Sequence, residues 1–106
     1  MFNKKMLGDM MRQAQVLQEK MAKAQEEAGK KIVEATSGGG MVTVNVNGRQ
    51  ELLSIRIDRQ VVTPDDLEML QDLILAAVNE ALKKSRDMMA EEMKGLTGGM
   101  NIPGLF

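Results

Sequence analysis

The chain has 106 residues, with 14 Lys or Arg against 15 Asp or Glu, a net charge of −1, and no histidine or cysteine. This length suits one domain with a modest core, and the missing residue types exclude disulfides, thiolate metal sites and a histidine general base. Only Phe2 and Phe106 are aromatic, which excludes an aromatic platform for stacking the bases of single strands.

The first predicted element is a long helix over residues 4–29, which Gly29 is expected to end. Its apolar residues recur at alternating spacings of three and four, a narrow seam of heptad type. The seam consists of Leu7, Met10, Ala14, Leu17, Met21, Ala24 and Ala28. Such a seam favours a partner helix, and packing on the protein's own sheet is the alternative.

Three short strands are predicted next, over residues 31–36, 41–47 and 49–58. Residues 41–47 alternate apolar and polar side chains, the period of a half-buried strand. Asn47-Gly48 is typical of a tight hairpin turn, because both central positions take positive φ. If the loop between these two strands has two or four residues, the apolar side chains of both strands lie on a common face: Val42, Val44, Val46, Leu53, Ile55 and Ile57.

The three consecutive glycines, Gly38–Gly40, raise the question of a phosphate-binding loop. Such a loop follows a strand and leads into a helix, whose N–H groups meet the anion. Here the glycines lead into a strand, and no Gly-Lys-Ser or Gly-Lys-Thr follows. They therefore indicate a turn between antiparallel strands, with no nucleotide site.

A second long helix is predicted from Thr63, as the cap, to about Lys94, with Gly95 ending it. Pro64 suits the first helical position, and the acids after it complement the helix dipole. Its apolar stripe comprises Leu67, Leu70, Ile74, Ala77, Ala81 and Met88, widened by Leu73, Val78 and Leu82. The chain is thus predicted to form one domain over residues 1–94 and a flexible glycine-rich tail over residues 95–106.

Catalytic chemistry is poorly supported. The chain has no histidine to activate Ser37, Ser54 or Ser85. Helix capping and dipole compensation already explain the acids between residues 65 and 72. The sequence therefore predicts a protein that is not an enzyme and has no cofactor, metal site or small-molecule substrate. The absence of cysteine, of a signal-peptide pattern and of a long apolar run predicts a cytoplasmic protein without a membrane partner.

Charge is unevenly distributed along the chain. Residues 1–31 hold seven basic against four acidic residues, residues 32–62 three against three, and residues 63–106 four against eight. On the first helix, a basic stripe lies within about 20° of arc opposite the apolar seam: Lys5, Arg12, Lys23 and Lys30. Lys20 flanks it, and Lys83 and Arg86 point away from the seam of the second helix. The stripe indicates phosphate contacts, and a solvated face is the alternative because Glu19, Glu26 and Glu27 lie beside it.

Methionine is abundant, at 11 residues, and concentrated on the two helices. This flexible side chain fills irregular gaps in cores and interfaces and also adapts to varied partners. Packing within the core or a dimer is the favoured interpretation. The alternative is a methionine-rich helical module that captures another polypeptide without binding DNA.

Four segments together resemble the YbaB/EbfC family of bacterial nucleoid-associated proteins: MMRQAQVLQEKMAKAQEE, SGGGMVTVNVNG, LLSIRID and PDDLEMLQDLILAAVNEALKK. The resemblance implies an α+β fold of α-β-β-β-α order, with a small antiparallel three-stranded sheet flanked by two long helices. It also implies a homodimer built through the strands and second helices, which binds duplex DNA and contributes to nucleoid organisation or gene regulation. With this family, the basic residues become candidate phosphate contacts: Lys5, Arg12, Lys20, Lys23 and Lys30, assisted by Lys83, Lys84 and Arg86.

Overall fold

The computed structural model describes residues 3–96. Its main elements are α1 (Lys4–Gly29), β1 (Ile32–Ser37), β2 (Val42–Asn47), β3 (Leu52–Ile57) and α2 (Leu67–Leu96). A left-handed turn occupies Gly38–Gly40, and short 3-10 turns occupy Arg59–Val61 and Pro64–Asp66. The α-β-β-β-α order and the antiparallel sheet confirm the predicted α+β fold. Most of the predicted tail lies outside the described residues.

The hydrophobic core lies between α2 and the first two strands. β2 is the central strand of the sheet, and its three valines, Val42, Val44 and Val46, are completely buried. α2 crosses β1 and β2 on this face, with Ala77 and Ala81 completely buried against them. These small side chains let the helix backbone approach the sheet closely, so the valines fill the space between.

β3 is an edge strand that α2 leaves largely uncovered. Ile57 pairs with Val42 and Ile55 with Val44, which confirms that these isoleucines share the face of the valines. Val46 pairs with Leu52, because a β-bulge inserts Leu53 as an extra residue. The predicted alternation is therefore wrong at Leu53. The glycine turn before β2 is confirmed, since all three glycines have positive φ.

The hairpin between β2 and β3 has a four-residue loop, Gly48–Glu51, and the tight Asn47-Gly48 turn is wrong. The positive φ falls on Gln50, at 63°. Asn47 organises the loop, because its Oδ1 accepts hydrogen bonds from the N–H groups of Arg49 and Glu51 at 2.9 and 3.0 Å. Its carbonyl also accepts from the N–H of Gln50 at 3.1 Å.

Gly48 meets the carboxyl end of α1. A Cβ at this position would lie 2.0 Å from the carbonyl oxygen of Ala28, so only glycine fits. On the other side, the buried Ser85 hydroxyl donates to the Asn47 carbonyl at 2.7 Å. The hairpin loop is thereby held between the end of α1 and the middle of α2, and it fixes where α1 leaves the domain.

α1 is supported along only part of its length. Its side chains are exposed from Asn3 through Val16, and the seam residues Leu17, Met21 and Ala24 are half-buried before Ala28 is fully covered. The covering element is α2, so a partner helix rather than the sheet packs on this half of the seam. Residues 4–16 project beyond that contact and are called the α1 arm below.

The start of α2 differs from the prediction. Thr63 makes no side-chain capping bond, and Pro64–Asp66 form a 3-10 turn before the helix. Asp66 provides the cap, since its Oδ1 accepts from the N–H of Met69 at 3.0 Å. The predicted Thr63 cap is wrong because the 3-10 turn moves the first turn of α2 three residues along the chain. The helix ends at Leu96, two residues beyond the predicted end.

Candidate nucleic-acid interface

The basic stripe of α1 lies on one continuous helix. Lys30 caps this helix with helical backbone angles, φ −87° and ψ −14°, so the helical spacing extends to the last member of the stripe. From Lys5 to Lys30 the stripe spans about 37 Å at 1.5 Å per residue. This length is close to one turn of B-DNA, about 34–36 Å. All five predicted basic residues are exposed: Lys5, Arg12, Lys20, Lys23 and Lys30.

Two of these cations have loose local partners. Arg12 lies 3.9 Å from Asp9, and Lys30 lies 3.7 Å from Glu26, with all four side chains more than half exposed. Exposed pairs of this kind contribute about 0–1 kcal/mol, so phosphate oxygens can replace these carboxylates at small cost. Within residues 3–96, the other three make no ion pair: Lys5, Lys20 and Lys23.

The three basic candidates on α2 differ from one another. Lys83 forms only an exposed pair with Asp87 at 3.8 Å, and Arg86 is exposed. Lys84 instead donates from Nζ to the carbonyl of Glu34 at 3.0 Å, which ties it to β1. Lys83 and Arg86 are thus exposed, whereas Lys84 has a structural partner.

Sequence reasoning missed Arg49. Its side chain lies over Gly29 and lines, with Glu26, an open cleft of about 450 Å³ between α1 and α2. Arg49 therefore places a positive charge beside the carboxyl end of α1. No local pattern signals this, because the hairpin loop meets α1 only in the folded chain. Lys31, by contrast, pairs with Glu92.

The serine hydroxyls have structural partners. Those of Ser37 and Ser85 donate to main-chain carbonyls, at 2.6 Å to Leu73 and 2.7 Å to Asn47. The hydroxyl of Ser54 accepts from the Asn45 amide at 2.9 Å. Between residues 3 and 96, no group of three or more acidic side chains is arranged to hold a metal ion. Neither helix in that range has an apolar stretch that could cross a bilayer.

Known proteins are similar to this chain in sequence and in fold. The model of the YbaB/EbfC DNA-binding family matches residues 3–100. A nucleoid-associated protein of Syntrophobacter fumaroxidans is 63% identical over 95 residues, covering 90% of this chain and 86% of that protein. One from Thermodesulfovibrio yellowstonii is 57% identical over 103 residues, covering 97% and 90%.

A solved structure supports the same relationship. An uncharacterized protein from Helicobacter pylori superposes with a TM-score of 0.66 at 27% identity, and the match covers 94% of this chain and 98% of that one. The family match therefore spans both helices and all three strands described above. The chain belongs to the YbaB/EbfC DNA-binding family.

Proposed function

We propose that this protein is a nucleoid-associated protein that binds duplex DNA, largely through phosphate contacts from α1. The observation that carries the proposal is the exposed basic stripe, which runs about 37 Å along one face of a projecting helix. The family and the names of the relatives support DNA as the partner. We infer a role in organising the nucleoid or regulating genes there.

Phosphate contact suits the chemistry of the stripe. Lysine and arginine side chains neutralise phosphates and release condensed counterions, which supplies affinity without reading the bases. The stripe is rich in flexible lysines, which act as point charges on phosphates. This arrangement supports binding of many duplex sequences along one helical turn.

The proposal predicts a steep salt dependence of duplex binding. Ten contacts, five from each of two copies, would give a slope of log K against log salt of about −9, because each contact contributes about −0.9. Between 50 and 200 mM salt, this slope corresponds to a fall in affinity of roughly 10⁵-fold. Fluorescence anisotropy with a random-sequence duplex measures this slope. A slope near zero would contradict phosphate-driven binding.

We further propose a homodimer that uses β3 and the adjoining side of α2. Leu52, Leu53 and Ile55 on β3 are between 41% and 49% exposed, and Leu75 on α2 is 60% exposed. An uncovered edge strand rich in apolar side chains is a typical association surface. A second copy would bury this surface and place two basic α1 helices on one particle.

The small core supports the same proposal. Among residues 3–96, the fully buried apolar side chains are valines and alanines, and none is leucine, isoleucine or methionine. A domain of this length buries a smaller share of its surface than a larger domain does, so leaving its largest apolar side chains in water makes it only marginally stable. Burying these side chains between two copies would offset that loss of stability.

Measuring the mass in solution tests the proposed dimer. Two substitutions of an isoleucine on an edge strand by aspartate are compared, one inside the proposed interface and one outside it. Ile55→Asp puts a charge into the proposed interface on β3, whereas Ile32→Asp puts one on the opposite edge strand, where Ile32 is already 64% exposed. Light scattering is expected to give about twice 11.7 kDa for the unchanged protein and for Ile32→Asp, and 11.7 kDa for Ile55→Asp. A monomeric unchanged protein, or a dimeric Ile55→Asp variant, would contradict this interface.

A second candidate function is a protein-interaction module. Exposed methionines on the α1 arm favour it, because Met6, Met10 and Met11 present adaptable apolar surface. This candidate predicts no salt-dependent binding of DNA and a polypeptide that binds the arm stoichiometrically. The basic stripe on the same helix makes DNA the better-supported partner.

A further inference from the structure

The α1 arm carries three exposed methionines. Met6, Met10 and Met11 are 49%, 52% and 66% exposed. Met21, farther along the same helix, is half-buried where α2 covers the seam, and Met69 is the one other exposed methionine within residues 3–96. The chain has no cysteine, so thioethers supply all of its sulfur. An oxidant in the solvent therefore reaches the sulfurs of the arm before those of the covered methionines.

The arm depends on its own side chains to remain helical. No described element covers it, since all of its side chains are exposed, and Gly8 lowers the helix propensity in its middle. Met6 and Met10 are four residues apart in the sequence. Leu7 is three residues from Met10 and four from Met11. Apolar residues at these spacings are neighbours on a helix and stabilise it, and each of the three pairs contains a methionine.

Hydrogen peroxide converts the methionine thioether into a sulfoxide. The sulfur donates an electron pair to one peroxide oxygen while the O–O bond breaks, and this oxygen forms the new S–O bond. The other oxygen takes the remaining proton and leaves as water, so the sulfur loses two electrons and the peroxide gains two. The product is polar and chiral where the thioether was apolar and flexible. Oxidation therefore weakens all three apolar pairs of the arm.

We propose that Met6, Met10 and Met11 form an oxidation site that controls the helix of the α1 arm and, through it, duplex binding. The arm carries Lys5 and Arg12, which align with the rest of the basic stripe only while the arm is helical. Each apolar pair shifts a helix equilibrium by about twofold, so losing three shifts it by about eightfold. Duplex affinity would fall by up to that factor for each arm. The effect on DNA rests on the proposed function, whereas the effect on the helix does not.

The core does not depend on these three sulfurs. Its fully buried apolar side chains are valines and alanines, and the arm lies outside the packed layers of the domain. The oxidised protein is therefore expected to keep its sheet and its contact between α1 and α2. Methionine sulfoxide reductases return the thioether, with a dithiol supplying two electrons and the sulfoxide oxygen leaving as water. The modification can thus act reversibly on a folded protein.

Limited treatment of the full chain with hydrogen peroxide tests the proposal. Peptide mass spectrometry is expected to find the sulfoxide at Met6, Met10 and Met11 before it appears at Met21. Circular dichroism of the same sample without DNA is expected to show a partial loss of helix, and anisotropy with a random duplex a severalfold loss of affinity. Methionine sulfoxide reductases with dithiothreitol are expected to restore both signals.

Leucine substitutions identify the sulfurs responsible. Replacing Met6, Met10 and Met11 together by leucine keeps the apolar pairs and a similar helix propensity but removes the sulfur. This variant is expected to keep its own helicity and affinity through peroxide treatment. Met69→Leu removes the other exposed thioether of the described residues and is expected to remain as sensitive as the unchanged protein.

Three results would overturn the proposal. They are an equal loss in the triple leucine variant, sulfoxide at Met21 as early as at Met10, or an oxidised arm with unchanged helicity. A loss of helix that leaves duplex affinity unchanged would overturn the link to binding. If the untreated protein does not bind duplex DNA, the proposed function fails, and the helicity measurement still decides whether oxidation controls the arm.

Discussion

Replacing Arg12 and Lys23 by glutamate is expected to weaken duplex binding by roughly 4 × 10³-fold at about 0.1 M salt. Each phosphate contact contributes about 0.9 to the dependence of log K on log salt, hence nearly a tenfold factor at that concentration. A dimer carrying the double substitution loses four contacts. Both side chains lie on the basic stripe of α1 and are exposed, so the change cancels the net charge of the stripe without touching the core.

The salt slope separates this effect from a general change in charge. It is expected to become shallower by about 3.6 for a dimer, since four contacts are lost at about 0.9 each. Arg59→Glu with Gln60→Glu and Gln71→Glu makes the same change in net charge away from α1 and β3, and is expected to weaken binding less than tenfold. If this control loses as much affinity as the α1 variant, DNA does not lie along α1. Anisotropy titrations at four salt concentrations provide both quantities.

Gly48→Ala is expected to produce a large loss of stability. The added Cβ would lie 2.0 Å from the carbonyl oxygen of Ala28 and 2.9 Å from the Cα of Gly29, and neither backbone atom can rotate away. The hairpin loop or the end of α1 must therefore move. Overpacking of this kind costs about 1–3 kcal/mol, which for a domain of this size lowers Tm by about 10 °C.

Gly8→Ala provides the matched control for that experiment. Gly8 lies inside α1, and no atom lies within 4 Å of the position that the alanine methyl group would occupy, so the same chemical change meets open space. Alanine is expected to stabilise the helix there by about 1 kcal/mol. Thermal melting followed by circular dichroism measures both variants at one protein concentration. A Gly48→Ala variant as stable as the unchanged protein would show that the loop does not press on α1.

The long elements were predictable because their periodicity is a property of the chain itself. The alternating valines of β2 and the three-and-four spacing of α1 each repeat over several residues, so one irregular position does not change the predicted element. The same repetition indicated the buried face of α2, where Ala77 and Ala81 contact the sheet. Repeated apolar spacing therefore predicted which face of β2 and of α2 enters the core.

Features fixed by tertiary contact were not predictable in this way. Asn47-Gly48 matches a tight turn locally, yet Gly48 is required because α1 passes against it. Leu53 was misplaced because a single bulge changes the pairing of one residue without altering the alternation around it. The heptad seam of α1 predicted that a helix packs on it. Which seam residues α2 covers could not be predicted, because that depends on how the two helices are placed relative to the sheet.

The basic residues of the candidate site also divide into those placed by local helix geometry and those placed by tertiary contact. The helical positions of Lys5 and Lys23 could be predicted, since both follow from the geometry of one helix. The attachment of Lys84 to the Glu34 carbonyl could not, because β1 and α2 are distant in the sequence. The position of Arg49 beside Gly29 likewise depends on the hairpin loop reaching α1. Side chains on one helix were therefore easier to place than those near junctions.

α1 is held over its carboxyl-terminal half and free over the rest. The contacts with α2 and Gly48 hold the helix from Leu17 to Ala28, whereas the α1 arm extends about 18 Å beyond them. A bend of about 10° where that contact begins would displace the far end of the arm by about 3 Å, a quarter of the width of a major groove. In the proposed dimer, two such arms would adjust to duplexes of differing width or curvature without any change in the packing of the core.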